Sequence, residues 1–255
     1  MANILKNTDD LEREAVEWIR EKLSSTDVLV CISGGKDSIV IEKLAGLSGI
    51  RYSINSTLTG IDPPQLTTFI RKNYPACSFV RPRQSFWHLI TTHNPPAGTG
   101  RGIKWCCNKI KENPSKTIWI DNRIMGIRAE ESPARAKYGR INVMKNSTHV
   151  QFYPIFDWKE YNIWEFIEKH NLPYPSLYDE GFDRLGCVIC PNHQNKHAPY
   201  RDRWPNHFKC FEKYTNIWFE KRKAQGKNMW FKSAGEFIEN WYTGRFYYYV
   251  PEEKI

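Results

Sequence analysis

The 255-residue sequence predicts an α/β fold: a mainly parallel sheet with helices on both faces, joined to a small helical C-terminal subdomain. Three observations predict it. Short apolar runs alternate with longer segments of helical periodicity, as the crossover units of a parallel sheet require. The first apolar run leads directly into a glycine turn that opens a helix. Beyond about residue 180 the composition shifts to cysteine, aromatic and basic residues, so residues 1–180 are expected to form one domain and 181–255 the other.

The elements follow in order. Asp9 to Ser24 carries Leu11, Ala15, Trp18, Ile19 and Leu23 on one stripe, the pattern of an amphipathic helix. Asp27 to Ile32 is a nearly continuous apolar run, as in a strand buried on both faces. After the turn Ser33 to Ser38, a helix runs through Ile39, Val40, Ile41, Leu44 and Leu47 until Gly49 stops it. Arg51 to Thr57 alternates as a second strand. Asp62-Pro63-Pro64 starts a further helix, with proline tolerated in its first turn. Ile118 to Arg128 supplies a later strand ending at Gly126-Ile127-Arg128. Pro154 to His170 reads as a strand end and a helix bearing Tyr161, Trp164, Phe166 and Ile167. Ligands of such sheets sit beyond the carboxyl ends of the strands, which places Ser33 and the Thr59-Gly60 turn at the ligand edge.

Charge and composition narrow the classes. No run of about twenty apolar residues exists to span a membrane, and Met1 to Asp10 is too polar for a signal peptide, so the expected location is the cytoplasm. The 37 basic and 28 acidic side chains leave a net charge of +9, which favours polyanionic partners. Seven cysteines in a reducing compartment do not make a disulfide framework. Cys31 and Cys77 stand alone in apolar segments and read as small buried hydrophobes. Cys106-Cys107 and Cys187-x-x-Cys190 are clustered and need another explanation.

Ser33-Gly34-Gly35-Lys36-Asp37-Ser38 joins a buried strand to a helix. Glycines let the backbone turn tightly and aim successive N–H groups at one anion, and the helix adds its positive dipole end. Lys36 and the hydroxyls of Ser33 and Ser38 add charge and hydrogen bonds, and Asp37 is a candidate magnesium ligand. The turn is not a Walker motif, because Asp37 follows Lys36 and Val30 stands where that motif has its first glycine. The loop resembles that of the pyrophosphate-loop adenine nucleotide α-hydrolase superfamily. The resemblance implies that ATP binds with its β and γ phosphates cradled and its α phosphate exposed to attack.

Cys187-x-x-Cys190 can close around one metal centre from a tight turn. Neighbouring thiols such as Cys106 and Cys107 diverge, which strains a single zinc site but suits the separated corners of a 4Fe-4S cluster. Four cysteines at four irons is the economical reading, with zinc as the alternative. This arrangement resembles the phosphoadenylyl-sulfate reductase family, and within it the iron–sulfur adenylyl-sulfate reductases. Further matches are Thr59-Gly60, Gly126-Ile127-Arg128 with Glu130-Glu131-Ser132 and Arg135, Pro154-Ile155-x-Asp157-Trp158, Asn171 to Pro175, and Leu177-Tyr178-Asp179 leading to Gly186-Cys187. They cover about residues 27 to 190 and imply an iron–sulfur-associated C-terminal subdomain.

One departure matters for chemistry. The reductases carry a catalytic cysteine near the C-terminus in a Glu-Cys-Gly-Ile/Leu-His motif. Here the last cysteine is Cys210, followed by Phe211-Glu212-Lys213, and Tyr247-Tyr248-Tyr249-Val250 brings no thiol. Cys210 shares a helical segment with Phe208, Phe211 and Tyr214 and reads as packing. The chain also resembles the ATP pyrophosphatase of bacterial DNA phosphorothioation systems, in which a cysteine desulfurase supplies sulfur. Between Asn195 and Tyr249, Lys196, Arg201, Arg203, Lys209, Lys213, Lys221, Arg222, Lys223, Lys227, Lys232 and Arg245 interleave with Trp204, Trp218, Trp230 and Trp241. The basic residues suit a DNA backbone, and the aromatics are expected to pack the helices.

The resulting expectation is an ATP pyrophosphatase that activates a phosphate by adenylation for sulfur incorporation into DNA. Its partners would be DNA, a cysteine desulfurase and other modification proteins. Lys36, Asp37 and Arg128 would be catalytic, with Ser33, Gly34, Gly35, Ser38, Thr59, Gly60, Gly126 and Arg135 completing the nucleotide site and Mg2+ assisting. Glu131 either orients Arg128 or serves as a helix-start carboxylate. The alternatives are a sulfonucleotide reductase that uses another protein's thiol, a tRNA-thiolating enzyme, and a nucleotide-sensing module.

Overall fold

The apolar run before the glycine turn becomes the strand β1, Val28–Cys31, in the computed structural model of the protein, which describes residues 7–96, 105–143, 148–191, 193, 197–227 and 231–243. The other strands are β2 Tyr52–Thr57, β3 Ser78–Val80, β4 Asn122–Met125, β5 Ile141–Val143 and β6 Val150–Phe152. The helices are α1 Thr8–Leu23, α2 Lys36–Ser48, α3 Pro64–Asn73, α4 Phe86–Thr92, α5 Asn113–Ser115, α6 Glu160–Lys169, α7 His197–Arg203, α8 Pro205–Ala224 and α9 Ala234–Thr243, with a π-helical segment over Cys107–Glu112. They fall into two compact units. The first comprises residues 1–56, 64–80 and 118–185, and the second 57–63, 81–117 and 186–255. The division does not follow one cut between residues 180 and 181: α4, far earlier in the chain, packs along α8 and joins the C-terminal helices.

In the first unit the six strands run in the order β3-β2-β1-β4-β6-β5. β1 pairs in parallel with β2 and with β4, Val28 lying opposite both Tyr52 and Asn122. β6 continues parallel to β4, and β5 returns antiparallel, Ile141 facing Phe152. Neither β3 nor β5 was expected: each is three residues long, too short for a periodic signal, and Val143 on β5 is 65% exposed. Leu11, Ala15, Ile19 and Leu23 of α1 are buried as its stripe predicts, and Asn7 caps the helix by accepting from the Asp10 amide at 2.8 Å. Such a cap contributes about 1 kcal/mol. α2 buries Ile39, Val40, Ile41 and Leu44 but turns Leu47 outward, and it ends at Gly49 with φ +71°. Burial raises the Cys31 and Cys77 thiols to about 11, so both stay protonated as small hydrophobes.

In the second unit α8 is the spine, contacted by α4, α7 and α9. Phe208, Phe211, Trp218 and Phe219 of α8 are buried, and Phe211 meets Trp241 of α9 with ring centroids 4.4 Å apart. Trp218 likewise meets Phe237 at 5.4 Å, so these aromatics pack the helices. Cys210 lies half-buried on the same helix. Arg201, Arg203, Lys209, Lys213, Lys221 and Lys223 are exposed, whereas Arg222 is half-buried. Asn195, Lys196, Trp230, Arg245 and Tyr247 to Val250 lie outside the described residues. Among the described residues, no helix is long and apolar enough to cross a membrane.

Candidate functional site

The β1–α2 turn carries the chemistry expected of it. Gly34 takes φ +80°, and a Cβ there would come within 3.3 Å of the Ile70 side chain and 3.4 Å of the Leu66 carbonyl on α3. Gly35 is the N-cap of α2 in extended conformation without a side-chain cap, which leaves first-turn amides to other partners. The Ser38 hydroxyl donates to the Gly35 carbonyl at 2.7 Å and tightens the turn. Lys36 is buried, and its backbone N–H donates to the Tyr178 hydroxyl at 2.8 Å. Its ammonium donates to the Asp183 carbonyl at 2.9 Å and lies 3.4 Å from the Glu160 carboxylate. Ser33 is exposed at the mouth of the turn.

Asp37 and Arg128 are brought together. The Arg128 Nε donates to Asp37 Oδ1 at 2.5 Å, and its other arm meets the Glu130 carboxylate. Burial works against the Arg128 charge, but Asp37 and Glu130 more than offset it and hold the guanidinium firmly protonated. Glu130 also accepts from the Glu160 amide at the start of α6, at 2.7 Å, so one carboxylate ties the end of β4 to α6. Glu131 accepts from the Arg128 amide at 3.1 Å and pairs with Arg135, which answers the open question about its role: it orients backbone and Arg135 at once. Gly126 serves packing, because a Cβ there would lie 2.9 Å from the Asp37 backbone carbonyl. Asp37 Oδ1 is thus engaged by Arg128.

Thr59 and Gly60 belong to the second unit. The Thr59 hydroxyl donates to Asp62 Oδ2 at 2.7 Å and accepts from the Ile61 and Asp62 amides. The same unit gathers both cysteine pairs. Cys106 is buried, Cys107 opens the π-helical segment, and Cys187 and Cys190 flank the buried Val188 and Ile189. A hydrogen bond with Cys107, then burial, then the thiols of Cys187 and Cys190 push the Cys106 thiol far up. Burial and Asp62 raise Cys187, against the pull of Lys111. Lys111 itself lies 3.6 Å from Asp62. Burial disfavours its charge, yet Asp62 and Cys187 hold it above the ordinary range. Among the described residues, no three His, Cys, Asp or Glu side chains converge on a single metal ion. Nothing in the spacing of Lys111 and Asp62 marked them as neighbours of the thiols. The π-helical segment that sets them there has no local sequence signal, although such segments concentrate at functional sites.

A mainly parallel sheet with a phosphate-type loop at the β1–α2 junction matches a fold of the adenine nucleotide α-hydrolase type. Residues 27–193 match the family model described as the phosphoadenosine phosphosulfate reductase domain, and the chain belongs to that family. The adenosine 5'-phosphosulfate reductase of Oceanobacillus iheyensis is 31% identical over 201 residues, 74% of this chain and 81% of the relative. Two uncharacterized proteins of Methanocaldococcus jannaschii are 30% and 28% identical, and the chain spans only 40% and 48% of their length. The phosphoadenylyl-sulfate reductase of Candida auris, solved as a phosphate complex, shares the fold with a TM-score of 0.54 and 17% identity, over 73% of this chain and 97% of that one.

Proposed function

We propose that the chain binds an adenylyl sulfonucleotide, adenosine 5'-phosphosulfate or its 3'-phospho form, and acts in its thiol-dependent reduction. The family match carries this reading, because it spans the phosphate loop, Arg128 and both cysteine pairs at once. The loop amides, the start of α2 and Lys36 would receive the anionic end of the nucleotide, with Arg128 and Arg135 as further cations. A thiolate then attacks the sulfonate sulfur, the S–O bond to the nucleotide phosphate breaks, and AMP, or its 3'-phospho form, leaves. A second thiol displaces sulfite from the first and leaves a disulfide. In this reading a reduced dithiol protein would supply the thiols.

The four clustered cysteines support a 4Fe-4S cluster as the group held in the second unit. Their thiols share one electrostatic neighbourhood beside Lys111, and adjacent thiols such as Cys106 and Cys107 suit separated corners of a cluster. Bound, it would pin the two cysteine segments together. Anaerobically purified protein is expected to be brown with about four irons per chain. Cys187→Ser should lose the iron and Cys77→Ser should keep it. Stoichiometric zinc without iron would overturn the assignment.

The exposed basic residues of α7 and α8 favour a second reading, ATP pyrophosphatase for DNA phosphorothioation. In that reading DNA lies on the exposed basic residues of α7 and α8, and a cysteine desulfurase acts as partner. The readings separate in one assay. With a reduced dithiol protein, adenosine 5'-phosphosulfate should yield sulfite and AMP. AMP and pyrophosphate from ATP, with no sulfite, would replace the first reading by the second.

A further inference from the structure

Tyr178 stands where an anion held by the β1–α2 turn would be met. Its hydroxyl oxygen accepts the Lys36 N–H, the first amide of α2, at 2.8 Å. A Cβ on Gly35 would come within 3.3 Å of that same oxygen, so the turn is shaped around it. Because the oxygen is an acceptor from Lys36, its own proton points away from the amide. Among the described residues no hydrogen bond takes that proton. The ring is fixed from the other side by Trp164, edge-on at 5.1 Å, and the Lys36 ammonium lies 5.3 Å from its centroid. Buried Leu177 next to it anchors the segment, and Phe182 and Gly181 close the following turn through the Leu177 and Tyr178 carbonyls at 3.2 and 3.1 Å. Burial, only partly opposed by the Lys36 amide, keeps the phenol neutral well above its ordinary range, so the proton is available at any working pH.

We propose that Tyr178 is a ligand-binding residue that relays the first helix amide: it accepts from Lys36 N–H and donates its own O–H to the negatively charged group of the bound nucleotide. A donor polarised by a peptide N–H behind it makes a stronger hydrogen bond to an anion than a lone hydroxyl. Deleting the oxygen removes that bond and leaves the Lys36 amide one hydrogen-bond length too far back to replace it.

This inference rests on the turn being the nucleotide site, and one titration set distinguishes the two. Adenosine 5'-phosphosulfate and ATP are each titrated calorimetrically, without thiol, into the wild-type protein and into Tyr178→Phe. The affinity of whichever nucleotide the wild type binds should fall about tenfold or more in Tyr178→Phe. The denaturation midpoint should fall only by the loss of the one hydrogen bond to Lys36 N–H, because the ring still packs on Trp164. Equal affinity in the variant would sink the relay. Tighter binding would also sink it and would mark the hydroxyl as a plug that the ligand must displace. Binding of neither nucleotide by the wild type would remove the proposed function and this inference with it.

Discussion

Arg128→Ala is expected to lower folding stability by about 3 kcal/mol and to weaken nucleotide binding at least tenfold. The guanidinium is 4% exposed and lies between the Asp37 and Glu130 carboxylates. Removing one partner of a buried ion pair costs about 3–5 kcal/mol. The lower end applies here, since Asp37 and Glu130 keep 20% and 27% exposure and regain some hydration. Two carboxylates would then repel across the gap, and the Glu130 bond to the α6 amide would loosen with them. Arg128→Lys should fall between the two, because one ammonium cannot fork to both acids. Urea denaturation and calorimetric titration measure the two effects. An unchanged midpoint together with unchanged affinity would remove Arg128 from the site.

Gly34→Val should abolish measurable nucleotide binding and cost about 3 kcal/mol of stability. Its φ of +80° costs an L residue about 1–2 kcal/mol. The added side chain also presses on Ile70 and the Leu66 carbonyl at 3.3 and 3.4 Å, where overpacking costs about 1–3 kcal/mol. Gly35→Ala is the contrast, because Gly35 has φ −82° and tolerates a Cβ in its backbone. It should fold normally and disturb only the Tyr178 hydroxyl. If Gly34→Val bound nucleotide as the wild type does, the turn could not be the site.

Much of the first unit was legible because its elements announce themselves locally. The stripe of α1, the apolar run of β1, the Gly34-Gly35 turn and the left-handed Gly49 stop each follow from residue type and spacing alone. β5 and β6 were not legible as a pair, since three-residue strands at a sheet edge owe their existence to the partner they meet. In the site, the meeting of Asp37 with Arg128 joins two residues the sequence singled out, but their other partners were not legible. Glu130 is 93 positions from Asp37, and no periodicity relates residues that meet only once β4 lies beside β1. Tyr178 was visible as part of a family motif, yet its position 142 residues beyond Lys36 gave no hint that its hydroxyl would meet that amide. Lys111 was hidden for the same reason, and by a π-helical turn that composition does not encode.

The two units are threaded through one another along the chain, which passes between them at residues 56/57, 63/64, 80/81, 117/118 and 185/186. With five passages, no single break in the polypeptide releases either unit whole. Gene fusion or recombination that trades a C-terminal cassette at residue 180 would carry α8 and Cys187 away from α4 and Cys106, leaving each half with an unmatched half-core. Limited proteolysis should show the same restriction, since a nick in the 81–117 segment leaves fragments that each hold parts of both units.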